Sequence, residues 1–197
     1  MKRACPLRYY TVFNVEQIDG LKIELPEIPR VEHNPIAEAE AIVANMPNRP
    51  EIQHGPARCF YRPSMDFVNM PEIGLFAQAE EYYASLFHEL THSTGHESRL
   101  NRRSSDAPRH FGDKEYSREE LVAEMGAAFL AAACGIEHAT LENSAAYLQG
   151  WLSVLRTDAK AVIIAAAQAQ RAADYIQGIT YASNQTEAEP GNLDAAA

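Results

Sequence analysis

Hydrophobic residues recur at helical spacing in a segment near the middle of the chain. Residues 74–94 carry apolar side chains three and four positions apart, which predicts an amphipathic helix that Gly95 can end. Similar spacing elsewhere predicts further helices. These cover residues 34–46, where Asn34 and Pro35 suit a helix start, and residues 117–135, 143–156 and 158–177.

Three shorter segments have the composition of β-strands. Residues 8–15 are dense in β-branched and aromatic side chains, and residues 57–61 and 66–70 flank a short segment that contains Pro63. The last two therefore form a predicted hairpin. Between the first strand and the first helix, residues 20–33 contain prolines and charges without periodicity, which predicts an extended linker.

Polar segments without periodicity separate the remaining parts of the chain. Residues 95–116 are a long polar loop, of a length typical of functional or disordered loops. The tail from residue 183 onward has the composition of a disordered segment. We therefore predict an N-terminal strand and linker over residues 1–33, one domain over residues 34–180 and a disordered tail over residues 181–197.

Composition favours a globular protein of the cytoplasm. The 197 residues are 46% hydrophobic, yet they contain no apolar run long enough to span a membrane and no signal-type N-terminus. We therefore expect a cytoplasmic protein with no membrane partner. Cys5, Cys59 and Cys134 lie far apart, which argues against both a disulfide framework and a cysteine-based zinc site.

The net charge argues against nucleic acid as a general partner. It is −10, whereas affinity for a phosphate backbone depends on clustered lysine and arginine. A local basic cluster does follow the middle helix. It consists of Arg99, Arg102, Arg103, Arg109 and Lys114, and its polar setting predicts a solvated loop, with contact to an acidic partner as the alternative.

A metal-binding motif lies on the helix predicted over residues 74–94. Residues 88–92 read His-Glu-Leu-Thr-His, so His88 and His92 are four positions apart. Residues four apart share a helix face and are separated by about 6 Å along the axis, so both imidazoles can point at one ion. Glu89, one position round the helix, can reach a metal-bound water without binding the metal. The motif predicts two zinc ligands and a general base.

A zinc hydrolase site needs a third protein ligand. One zincin pattern places a histidine six positions after the second histidine of the motif, but Ser98 stands there. His96 is close to this position. On a continuous helix it would lie about 12 Å along the axis from His88, so it could bind the same ion only if the helix breaks at Gly95.

The helix predicted from residue 117 offers carboxylates instead. Glu120 and Glu124 are four apart and share a face, an arrangement in which one carboxylate binds the metal and the other hydrogen-bonds a ligand histidine. Ser117 and Glu120 also fit a capping box, in which Glu120 would bond the backbone at the helix start. In that case Glu124 would be the ligand.

The motif and its surroundings resemble a known family. Residues 7–15, 82–101 and 119–130 are similar to the C-terminal half of the ArdC family of antirestriction proteins, over roughly residues 7–178. That half is called the polyvalent-protein metallopeptidase domain, and the family is encoded on conjugative plasmids and other mobile elements. The spacing of the two carboxylates on the second helix is similar to the gluzincin arrangement.

The resemblance implies a fold, a cofactor and a set of site residues. The fold is an α+β zincin, with a small antiparallel sheet packed on the active-site helix and a helical C-terminal part. The cofactor is a zinc ion. The implied ligands are His88, His92 and Glu120, with Glu124 hydrogen-bonded to a ligand histidine and Glu89 as the catalytic base.

The resemblance also implies a function, with one alternative. We expect a zinc-dependent peptidase of an antirestriction protein, acting on a protein or peptide such as a restriction-enzyme subunit. The strand over residues 66–70 is a candidate edge for an extended substrate. Tyr116 and His110 are candidate oxyanion donors, with a surface role as the alternative for each. The competing hypothesis is a non-catalytic zincin scaffold that binds DNA or a restriction enzyme.

Family members carry an N-terminal domain that binds single-stranded DNA. Residues 1–33 resemble only the last part of that domain, and the chain is acidic. We therefore expect single-stranded DNA binding only through the missing domain, and weak binding or none by these residues alone.

Overall fold

Helices and strands follow one another in an α+β order. The computed structural model describes residues 29–102, 114–136 and 159–180, and also Gly20. The elements are α1 Ala37–Asn45, β1 Glu51–His54, β2 Phe60–Arg62, β3 Phe67–Met70, a 3₁₀ turn Ile73–Leu75, α2 Ala79–Ser93, α3 Lys114–Ala133 and α4 Ala159–Ile176. Among the described residues, no helix is long and apolar enough to cross a membrane.

The three strands form a small mixed sheet with β3 in the centre. β3 pairs in antiparallel orientation with β2, where Tyr61 lies opposite Val68, and in parallel orientation with β1, where Ile52 lies opposite Val68. The predicted hairpin is confirmed, but the expectation of a purely antiparallel sheet is wrong. The additional parallel strand, β1, has no strong sequence signal, because Ile52 is its one apolar residue and is only partly buried.

The central position of β3 has a consequence for substrate binding. Its two neighbours already bond to both of its edges, so it cannot accept a further strand. The prediction that residues 66–70 receive an extended peptide is therefore wrong. In the described part of the chain, the outer strands of the sheet are β1 and β2.

One hydrophobic core joins the sheet to the helices. Tyr83, Phe87 and Leu90 of α2 are fully buried in it, together with Val68 and Met70 of β3. Other members come from the remaining helices, namely Val43 of α1, Leu130 of α3 and Ile176 of α4. Burial of one such side chain contributes about 1.5–3 kcal/mol. The helix that carries the histidine motif is therefore stabilised by packing along its length.

The starts of the first two helices differ from the predicted ones. α1 begins at Ala37, so Asn34 and Pro35 precede it, and none of the described side chains caps its N-terminus. α2 begins at Ala79, after the 3₁₀ turn and an extended Gln78, because the turn interrupts the apolar periodicity that predicted an earlier start. Its end at Ser93 agrees with the stop predicted from Gly95.

The start of α3 removes one interpretation of the sequence. α3 begins at Lys114, so Ser117 lies inside the helix and cannot cap it. A capping box between Ser117 and Glu120 is therefore wrong. The predicted strand over residues 8–15, the predicted helix over residues 143–156 and the predicted disordered tail lie outside the described residues.

A buried arginine ties the segment after α2 to the β2–β3 hairpin. Arg99 donates two hydrogen bonds of 2.8 Å to the carboxylate of Asp66, and Tyr61 donates a third of 2.7 Å to the same carboxylate. Arg99 also donates to the carbonyl oxygens of Asn48 and Ser93. Its side chain is only 1% exposed, so the prediction of a solvated basic loop is wrong for this residue.

Candidate metal centre

The two histidines of the motif face one another on α2. The Nε2 atoms of His88 and His92 are 3.0 Å apart, and the ring planes are inclined by 80°. Residues four apart on a helix share a face, which explains why the rings meet without help from the rest of the fold. Both Nε2 lone pairs are therefore available to a single ion.

Glu120 completes the group from the neighbouring helix α3. Its Oε2 atom is 3.6 Å from Nε2 of His88, and its Oε1 atom is 3.5 Å from Nε2 of His92. One ligand atom from each of the three residues lies within 4.8 Å of the others. In a tetrahedral zinc site with bonds of 2.0–2.1 Å, ligand atoms are about 3.3 Å apart. The three side chains therefore fit a small divalent cation.

A close contact between α2 and α3 brings this carboxylate to the histidines. Gly126 of α3 packs against Thr91 of α2, and a Cβ atom at Gly126 would lie only 2.6 Å from the Thr91 Cγ2 atom. A larger residue would have to move the helices apart. The small residue therefore sets the separation at which a glutamate of α3 can reach a metal held by α2.

The second ring nitrogen of each histidine faces another carboxylate. Nδ1 of His88 is 3.4 Å from Oε1 of Glu124, and Nδ1 of His92 is 3.6 Å from Oε1 of Glu119. Carboxylates in this position orient metal-binding imidazoles. The family resemblance implies this position for Glu124, beside a histidine of the motif. Glu119 was not singled out, because its spacing from the other two glutamates is not helical i,i+4 spacing.

Arg102 holds Glu119 in place. Its guanidinium donates a hydrogen bond of 2.9 Å to Oε1 of Glu119 and another of 2.9 Å to the carbonyl oxygen of Thr91, and it also bonds the hydroxyl of Thr94. The side chain is 7% exposed, so the prediction of a solvated loop is wrong for this arginine too. Arg103 and Arg109 lie outside the described residues, and Lys114 opens α3.

The charges in this cluster shift the acidities of its members. Burial lowers the pKa of His92, but the carboxylates of Glu119 and Glu120 outweigh burial and raise that pKa to about 9. Burial raises the pKa of Glu120, but the two histidines that face its carboxylate hold that pKa well below its usual range. The pKa of Glu124 is raised by burial and by the neighbouring Glu120 charge. The carboxylates of the cluster thus favour positive charge beside them, as a cation site requires.

Glu89 lies beside the ligand group and outside it. It is partly buried on α2, about 100° round the helix from His88. Burial and the negative charge of Glu89 together raise the pKa of Cys59, which directly precedes β2. The Glu89 carboxylate therefore lies within electrostatic range of Cys59.

The other sequence candidates do not join the group. Among the described residues, His88, His92 and Glu120 are the one set that could hold an ion, and His96 is not a member. Nδ1 of His96 instead lies 2.8 Å from the hydroxyl of Ser98. His110 and the side chain of Tyr116 lie outside the described residues, so their proposed roles remain predictions.

Comparison with known proteins identifies the family. Residues 37–168 match the family described as zincin-like metallopeptidase, named MPTase-PolyVal. The chain belongs to this family. Membership confirms the predicted zincin-like α+β fold, and the grouping of His88, His92 and Glu120 makes the cluster the candidate site for a divalent metal ion.

Relatives of this zincin-like chain include longer proteins. It is 36% identical over 191 residues to the protein y4eC of Sinorhizobium fredii, which covers 96% of this chain and 58% of y4eC. It is 40% identical over 171 residues to DNA primase TraC of Escherichia coli, which covers 85% of this chain and 15% of TraC. The chain therefore spans less than two thirds of either relative.

Two crystal structures of the antirestriction protein ArdC from plasmid R388 are similar to the chain. The Mn(II)-bound form is 40% identical with a TM-score of 0.62, and the match covers 86% of this chain and 61% of ArdC. The metal-free form is 41% identical with a TM-score of 0.59, covering 86% and 60%. The resemblance to ArdC predicted from the motif block is confirmed.

Proposed function

We propose that this chain is a zinc-dependent peptidase domain of an antirestriction protein. The observation that carries the proposal is the convergence of His88, His92 and Glu120 on one point, with Glu89 beside them and not among the ligands. A metal-binding scaffold would need the three ligands alone. A carboxylate next to the ligand group is useful for moving protons, which is the task of a general base.

His88, His92 and Glu120 would hold the ion, and the fourth position would be open to water and substrate. Zinc bound there acts as a Lewis acid and lowers the pKa of a water toward neutrality. Glu89 would take a proton from a water that attacks the peptide carbonyl, and it would donate that proton to the leaving amine as the C–N bond breaks. Proton transfer of this kind contributes typically about 10²- to 10⁴-fold to the rate.

The substrate would lie along β2. β2 is an outer strand, and Cys59 at its start lies close enough to Glu89 to feel its charge. An extended peptide that adds to this strand would therefore pass the general base. Backbone hydrogen bonds would supply affinity, while side chains of the substrate would supply selectivity.

The likeness to ArdC supports an antirestriction role on a plasmid or another mobile element. The Mn(II)-bound form of ArdC also supports divalent metal binding by this chain. On this proposal the domain acts in the cytoplasm and its substrate is a protein such as a restriction-enzyme subunit. With a net charge of −10, the chain would contribute little to single-stranded DNA binding by itself.

The test combines metal analysis with a cleavage assay on candidate restriction subunits. We expect the purified chain to bind one zinc ion and to cleave a substrate. Glu89→Gln should retain the zinc and lose about 10²- to 10⁴-fold in cleavage rate. Glu97→Gln is the matched control, because Glu97 is exposed and lies past the end of α2.

Two results would contradict the proposal in different ways. Equal cleavage by the parent and Glu89→Gln would rule out Glu89 as the base. Full zinc binding without cleavage of any restriction subunit would favour the non-catalytic scaffold, which would then block restriction by binding.

A further inference from the structure

The basic segment after the motif contains an arginine that points into the protein. Arg102 is 7% exposed and contacts both helices of the metal centre, through Thr91 of α2 and Glu119 of α3. A buried guanidinium is costly unless its donors are satisfied. Its pairing with a carboxylate that is itself only 12% exposed therefore needs a structural or functional reason.

A polar atom without a partner lies next to this pair. Among the described residues, the buried Nδ1 of His92 has no hydrogen-bond partner, and neither has Nε of Arg102. Oε1 of Glu119 is 3.6 Å from Nδ1 of His92. That distance is too long for a hydrogen bond. Oε1 of Glu119 is also the atom that accepts from Arg102. The three side chains thus form a row that runs from the segment after α2 to the metal ligand.

Metal binding explains why these three side chains are arranged in this way. An imidazole that binds through Nε2 carries its remaining proton on Nδ1, and a carboxylate that accepts this proton fixes the tautomer and the ring orientation. A charge-assisted bond of this kind is about 2.7–2.9 Å long, so a small movement of His92 or Glu119 would close the gap. The hydrogen bond from Arg102 holds the Glu119 carboxylate beside the ring.

We propose that Arg102 and Glu119 are positioning residues that hold His92 in the orientation and tautomer required for metal binding. The inference rests on the proposed metal centre and adds to it a determinant of metal affinity outside the histidine motif. Arg102 does not touch the ion on this account, and it acts only through Glu119.

The chain provides a matched control three residues earlier. Arg99 is also buried, with its side chain 1% exposed, and it pairs with Asp66. This pair joins the segment after α2 to the hairpin, and among the described residues neither partner bonds to the side chain of His88, His92 or Glu120. Loss of either ion pair should lower stability. Only loss of the Arg102 pair should change metal affinity.

The experiment is a zinc titration of the full chain against a competing chromophoric chelator, well below the melting temperature of each variant. Glu119→Ala should weaken zinc affinity about 10- to 100-fold, the usual effect of losing the partner of a ligand histidine. Arg102→Met keeps the aliphatic stem and should weaken affinity in the parent. In the Glu119→Ala background it should change affinity by no more than about twofold.

Asp66→Asn should lower the melting temperature and leave zinc affinity within about twofold of the parent. Visible spectra of the cobalt-loaded proteins supply a second readout, since the d–d bands report ligand geometry. They should change in Glu119→Ala and remain as in the parent in Asp66→Asn. If Glu119→Ala does not fold, the isosteric Glu119→Gln replaces it and should show a smaller loss in the same direction.

Several outcomes would overturn the inference. They are unchanged affinity in Glu119→Ala, fully additive effects of the Glu119 and Arg102 substitutions, or an equal loss in Asp66→Asn. A parent chain that binds no zinc would refute the metal centre itself and this inference with it. If the parent binds zinc but no more tightly than Glu119→Ala does, the inference is refuted and the metal centre is not.

Discussion

Two opposite faces of α2 carry different chemistry. Leu86 and Leu90 face the hydrophobic core, whereas His88 and His92 face the carboxylates of α3. His88 and Leu90 are about 200° apart round the helix, so residues only two positions apart lie on opposite faces, one polar and one in the hydrophobic core. The core face stabilises the protein by burial, and the polar face has charges that a cation must balance.

Each side of α2 also has its own arginine from the segment that follows the helix. Arg99 pairs with Asp66 on the side of the hairpin, and Arg102 pairs with Glu119 on the side of α3. The two pairs are chemically alike. What separates them is the partner behind each carboxylate, because only Glu119 faces a ligand histidine.

The largest effect should come from the polar face. Glu120→Ala removes one of the three proposed ligands and should weaken zinc binding by more than about 1000-fold. Glu124→Ala removes only the partner of His88 and should cost about 10- to 100-fold. Zinc titrations of the two variants test this order. A greater loss for Glu124→Ala would reassign the third ligand to Glu124.

A smaller effect, of a different kind, should come from the core face. Leu86 is 2% exposed, and Leu86→Ala should lower the free energy of unfolding by about 2–5 kcal/mol through lost burial and a residual cavity. Zinc affinity of the folded variant should match that of the parent. Denaturant unfolding with chelator present, followed by a zinc titration, checks both statements. A large loss of zinc affinity would show that the two faces are coupled.

The smallest effect should come from the hairpin pair, and it depends on pH. Burial raises the pKa of Asp66, but bonds from Arg99 and Tyr61 outweigh burial and hold that pKa below its usual value of 3.8. A lowered pKa in the folded state means that the carboxylate stabilises the protein above about pH 4 and that this contribution is lost as the pH falls through the folded-state pKa.

Asp66→Asn should therefore cost about 1–2 kcal/mol at neutral pH, a modest value because the side chain of Asp66 is partly exposed. The difference in melting temperature between the parent and Asp66→Asn should be constant from pH 5 to 7 and should shrink below pH 4. Melts in chelator across this range provide the measurement. A difference that grows on acidification would contradict the assigned direction of the pKa shift.

The sequence by itself was sufficient for features that depend on local spacing. The grouping of His88 with His92 follows from four-residue spacing on one helix, and so does the shared face of Glu120 and Glu124. The resemblance to ArdC was visible in the sequence around these four residues, and the comparisons confirmed it. Their roles in binding and catalysis remain predictions for the experiments above.

Tertiary structure decided everything that depends on partners distant in the chain. β1 has one apolar residue, and it is a strand because β3 offers it a parallel edge. Arg99 and Arg102 occur in a polar, basic segment whose composition predicts solvation. Both side chains are nevertheless buried, and each pairs with a carboxylate from another part of the chain. An ion pair depends on where two charges meet in space, and that is a property of the packed helices and strands rather than of either segment alone.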